Sequence, residues 1–180
     1  MNTAAFLLPT TIGVGLFILR LVLGLYMAAH GAQKLFGWFD GHGLAGTSGL
    51  FEQIGFRPGR AFATAASAAE VVSGLLMALG FLGPIGPALM ISVMIVAIGS
   101  VHWQHGLFSA KNGIELPLLF AAGALALALS GPGRFSLDAL LGLEPLMTPR
   151  VVYAALTVGI LGGVTNLAVR RATPGQPSTR

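Results

Sequence analysis

The chain has 180 residues, of which 54% are hydrophobic and only 9% charged, with a mean hydropathy of +0.82 and a net charge of +4. A soluble domain of this length needs a polar surface over its core, and this composition does not supply one, which leaves a polytopic α-helical membrane protein. The lack of cysteine excludes thiol–disulfide exchange, iron–sulfur clusters and thiolate metal sites from the chain's own chemistry.

In chain order, five apolar segments read as spanning helices: Ile12 to Phe36, Ala61 to Leu82, Ile85 to Val101, Ile114 to Ser130 and Val151 to Val169. No basic residue precedes Arg20, and the first apolar stretch carries that arginine, so it is expected to be a retained span rather than a secretory signal. Between the first two spans, "GWFDGHGLAGTSGLFEQIGFRPGR" is too polar and glycine-rich to cross a bilayer, and its "SGLFEQIGF" reads as a short interfacial helix. "GFLGPIGP" is a tight turn, because its prolines cannot continue a helix. "GPGRFSLDALLGLEPLMTPR" reads as a loop with a second interfacial segment, and residues 171–180 as a disordered tail behind a single domain over residues 1–170. The last span carries Ala155, Gly159 and Gly163 at small-xxx-small spacing, a ridge for close packing inside the bundle or between subunits.

Five spans put the termini on opposite sides. Lys34, Arg57, Arg60, Lys111, Arg170, Arg171 and Arg180 then share one side against Arg134 and Arg150 on the other. The positive-inside rule places the larger group in the cytoplasm of a multi-pass cell-membrane protein. The basic residues are not interleaved with aromatics, so nucleic acid is not an expected partner.

Two ionisable residues fall deep in spans. Arg20 shares a helical stripe with Gly24, Met27, Gly31 and Lys34, and Glu70 shares one with Ala63, Ala66, Ser67, Gly74 and Met77. Opposite signs on sequential antiparallel helices predict an Arg20–Glu70 ion pair, serving either helix register alone or a proton-linked or ligand-anchoring role. Alternation also gathers His30 and Lys34 with the stretch "SVHWQHGLFSAKNGIEL", which holds His102, His105, Lys111, Asn112 and Glu115. Three readings fit this polar end: a His/Glu metal site, a snorkelling polar rim, or a pocket for a polar ligand head such as a quinone or an anion. Metal is disfavoured, because H-x-x-H brings no third ligand at fixed spacing and both lysines repel a cation. His102 is expected to point into the bundle toward His30 and Lys34, oriented by Glu115, with His105 outside.

The segments "RLVLGLYMAAHGAQKLFGWF", "AEVVSGLLMALGFL" and "GIELPLLFAAGALALALSGPGRFSLDALLG" resemble the DoxX family of bacterial integral membrane proteins. The resemblance runs from Leu19 to Gly142, and Gly-Pro-Gly-x-x-Ser-Leu-Asp is its most specific part. It implies an all-α, four-helix transmembrane bundle, to which this chain adds a C-terminal fifth helix. It maps family positions onto Arg20, His30, Gly31, Lys34, Glu70, His102, Glu115 and Pro117, and the loop motif onto Gly131, Pro132, Gly133, Arg134, Ser136 and Asp138. Members resemble membrane subunits of redox systems, so the implied function is a subunit that binds quinone, with an oxidoreductase partner supplying electrons. In that reading His30, Lys34, His102 and Glu70 are the catalytic candidates, and Arg20, Asn112, Glu115 and Trp103 the ligand-binding ones. No covalent cofactor and no metal are expected; the bilayer surrounds the protein, and self-association is open. The alternative is a non-catalytic scaffold or small-solute carrier that anchors partner proteins.

Overall fold

Small residues decide how these helices meet. A computed structural model describes residues 3–171, and its elements are all helical: α1 (Thr3–Phe36), α2 (Gly43–Gln53), α3 (Gly59–Leu79), α4 (Ile85–Ala97), α5 (Glu115–Ser130), α6 (Leu137–Leu141) and α7 (Pro149–Ala168). The expected disordered tail lies, apart from Arg171, outside the described residues. The protein is an all-α membrane protein in which α1, α3, α4 and α5 form a bundle and α7 is the additional C-terminal helix. Thr10–Phe36, Gly59–Leu79, Ile85–His105 and Pro149–Ala168 are each long and apolar enough to cross a membrane. With 16 residues, α5 is shorter, about 24 Å at the helical rise, and packs on α4 and α1.

The α1–α3 seam is built on glycine. Gly24 faces the backbone of Gly74 and Ala78, Gly31 faces Ser67 and Val71, and a Cβ on Gly74 would strike Gly24 and Ala28. Without a hydrophobic drive between helices in lipid, such close approach is how dispersion contacts accumulate. The ridge on α7 works the same way against α4: Gly159 lies on Ala88 and Gly163 on Ser92 and Ile95. Of the two uses open to that ridge, packing within the bundle is the one observed. The core between the helices is rich in Met27, Met77, Met90 and Met94, flexible side chains that fill irregular gaps.

Helix ends follow local chemistry. The second expected span stops at Leu79 because Gly80 turns left-handed, with φ +64°, closing a Schellman cap through Phe81 N–H to the Leu76 carbonyl at 2.9 Å. Ser136 caps α6, and Thr148 with Pro149 starts α7. The third span continues past Val101: α4 widens into a π-helical turn over Ile98–His102 and then tightens over Trp103–His105. Exposed Phe36, Trp38, Phe39, Trp103 and Phe108 cluster at this end, as an interfacial aromatic belt would.

Candidate functional site

Arg20 and Glu70 do not meet. The register that puts Gly24 on Gly74 and Gly31 on Ser67 also brings Arg20 against Gly80, ten residues and about 15 Å of helix from Glu70. The expected Arg20–Glu70 ion pair is therefore replaced: Glu70, 3% exposed, takes the ammonium of Lys34 through Oε1. Lysine succeeds where arginine fails because Lys34 lies on the same stripe near the level of Glu70, and its stem spans the remaining gap.

Arg20 belongs to the other end of the bundle and not to a ligand site shared with Glu70. Its Nη2 donates to the Phe135 carbonyl at 2.5 Å, its guanidinium lies over the Phe17 ring, and Asp138 attracts it through space. Asp138 is fully buried and accepts from the backbone N–H groups of Leu82 (2.9 Å) and Gly83 (2.7 Å). Ser136 accepts from Ala139 N–H at 3.1 Å and donates to the Gly133 carbonyl, while Arg134 reaches Thr10 and stacks over Phe135. The Gly131, Pro132, Gly133, Arg134, Ser136, Asp138 motif thus forms a clamp that ties the α5–α6 loop to the α3–α4 turn.

At the Lys34 end a cavity of about 580 Å³ opens between α1, α2, α3, α4 and α7, within the usual range for small-molecule sites. Its wall is mainly apolar, from Phe51, Phe56, Phe62, Leu89, Val93 and Val96. Lys34 and Glu70 sit on it together, and Glu70 Oε2 is buried with no hydrogen-bond partner. A carboxylate oxygen left unpaired in a low-dielectric site is costly, so a donor that reached this atom would gain most. Half-buried His102 also lines the cavity.

Other expected residues fall outside it. His30 is exposed and edge-on to Phe120 of α5 at 6.2 Å, within electrostatic reach of Lys34 and Glu70 but off the cavity wall. One helical turn leaves it about 40° around from Lys34, enough to send a short ring to α5 while the longer lysine reaches α3. Glu115 does not orient His102; its Oε2 accepts from Ser109 N–H at 2.8 Å. The Asn112 carbonyl takes that role, 2.7 Å from His102 Nδ1, because Asn112 adopts a left-handed φ of +62°. Trp103 is 71% exposed, and neither it nor the Asn112 side chain lines the cavity. His105 is exposed and bonded to the Val101 carbonyl of its own helix. Among the described residues no three potential ligands gather as a metal site.

Sequence reasoning missed Gln33, Thr47, Ser100 and Asn166, which all line the cavity. An amide inside the apolar "GILGGVTNLA" was a usable signal for Asn166. The α7 end also holds the site together, since Arg170 Nε donates to the Ile54 carbonyl at 2.5 Å and Arg171 N–H to the Gly55 carbonyl at 2.9 Å.

Comparison with known proteins agrees with this architecture. The DoxX family model matches residues 15–103, which include α1 from Gly15 onward, α2, α3 and the α4 run as far as Trp103. An uncharacterized membrane protein of Mycobacterium tuberculosis is 31% identical over 130 residues, 67% of this chain and 77% of its own. No solved structure matches the chain. By these matches, the chain belongs to the DoxX family of membrane proteins.

Proposed function

We propose that this protein is a cell-membrane subunit of a redox system that binds a quinone headgroup in the cavity beside Lys34, Glu70 and His102. One observation carries the reading: a largely apolar cavity of ligand size has a buried ion pair on its wall, with one carboxylate oxygen unpartnered. The apolar wall suits a ring and its substituents. Lys34 supplies hydrogen-bond donors, and Glu70 or His102 can hold the proton that accompanies an electron. The chain contains no cysteine, so a partner oxidoreductase or a bound substrate supplies the electrons.

The excess of Lys and Arg around the cavity end favours a cytoplasmic position for that end. A C-terminal reporter that fluoresces only in the cytoplasm should be bright; a dark one beside an active periplasmic reporter reverses this orientation.

The direct test is a spectroscopic titration of the purified protein with menadione and menadiol, together with analysis of its lipid extract for quinone. Saturable binding that disappears in Lys34→Met supports the site. A protein that retains no quinone and binds neither form would be a scaffold or carrier instead.

A further inference from the structure

The polar atoms around the cavity divide unequally between donors and acceptors. Gln33 Nε2 donates one of its two N–H groups to the Phe39 carbonyl at 3.2 Å, which leaves it one donor and the Oε1 acceptor. The hydroxyl of Thr47 is turned to the main chain, 2.8 Å from the Gly43 carbonyl and 3.2 Å from that of Lys34. Ser100 likewise gives its hydrogen to the Val96 carbonyl at 2.6 Å. Both oxygens therefore keep only lone pairs for a ligand.

His102 follows the same pattern. A carbonyl accepts and never donates, so the nitrogen 2.7 Å from the Asn112 carbonyl, Nδ1, carries the hydrogen. The neutral ring is then left with Nε2 as a bare acceptor. Glu70 Oε2 is the strongest acceptor of the set, a carboxylate oxygen that is buried and unpartnered while Oε1 holds Lys34. Lys34 opposes them as a donor, with one of its three N–H groups already given to Glu70.

We propose that the cavity selects ligand heads that donate hydrogen bonds, and so holds the reduced dihydroxy form of a quinone-type ring more tightly than the oxidised dicarbonyl form. This rests on the cavity being the quinone site. The two forms differ little in shape, so the apolar wall treats them alike, and discrimination falls to the polar atoms. Hydroxyl groups satisfy Glu70 Oε2 and His102 Nε2, whereas carbonyl oxygens set lone pairs against lone pairs and leave the carboxylate unpaired. A site that prefers the reduced form raises the potential of the bound couple, by about 30 mV for each tenfold of preference in a two-electron couple. The protein then acts as a place where the reduced carrier accumulates.

The test compares menadione with menadiol, kept reduced under anaerobic conditions, for binding to the full-length protein in detergent. Menadiol should bind at least about tenfold more tightly, the equivalent of one well-made hydrogen bond to a charged acceptor. Equal binding, or tighter menadione, overturns this inference and leaves the quinone site standing. Binding of neither overturns both. A redox-free pair, 1-naphthol and 1-methoxynaphthalene, isolates the hydroxyl donor without any mutation. The naphthol should win despite its smaller apolar surface, and parity also overturns the inference. Glu70→Gln, if it folds, should bring the menadiol preference close to one.

Discussion

The bundle carries a buried charge near each end, and the two are used in opposite ways. At the Arg20 end the charge is packed into protein: Arg20 holds the Phe135 carbonyl, while Asp138 spends both oxygens on the N–H groups of Leu82 and Gly83. Arg20 also has unpartnered nitrogens, Nε and Nη1, but they abut protein, with Gly80 leaving the space beside Nη1. At the Lys34 end the unpartnered atom, Glu70 Oε2, belongs to a residue on the wall of a cavity. A buried polar atom enclosed by backbone reads as architecture, and one on a residue that lines an apolar cavity reads as a binding point.

Substitutions should separate the two ends, with the largest effect at Asp138. Asp138→Ala removes the acceptor of two backbone donors and the carboxylate nearest Arg20, and is expected to lower stability by about 3–5 kcal/mol. Unfolding in detergent measures this; a loss below about 1 kcal/mol would dissolve the contrast by showing that the clamp is not structural.

Next comes Lys34→Met, which strands the Glu70 carboxylate. Because the Lys34 side chain is 38% exposed, the expected cost is nearer 2–3 kcal/mol than the full penalty for a buried pair, about 3–5 kcal/mol. Adding Glu70→Leu should recover most of that stability while ligand binding stays lost. A double variant that binds menadiol normally would return the pair to a purely architectural role.

The smallest effect on stability belongs to His102. His102→Ala should change it by about 1 kcal/mol or less, yet weaken ligand binding at least tenfold, about 1.4 kcal/mol, while His105→Ala alters neither. Matching losses at the two histidines would break the distinction, since only His102 lines the cavity.

Much of this organisation could be read along the chain. Spanning helices follow from apolar length, turns from Gly and Pro, and the presence of buried charge partners from the cost of leaving Arg20 or Glu70 alone in hydrocarbon. The resemblance carried by "GPGRFSLD" located the loop that Asp138 anchors, although not what the loop grips. His102 was distinguished from His105 because it directly ends an apolar run, and the structure places it on the cavity wall.

Pairing was another matter. Which carboxylate meets which cation depends on the axial register of two antiparallel helices, and that is decided where Gly24, Gly31 and Gly74 let backbones touch. A slide of two or three turns leaves composition and periodicity unchanged and exchanges Arg20 for Lys34 as the partner of Glu70. The cavity is likewise tertiary: α2 folds back over α3, the π-helical turn shifts the phase of His102, and Arg170 draws α7 onto the α2–α3 loop. The sequence by itself determined the helices, their polar ends and the need to neutralise buried charge, because these follow from local hydropathy and desolvation. Only the tertiary structure decided the partners and the cavity, because both depend on backbone contacts between segments distant in the chain.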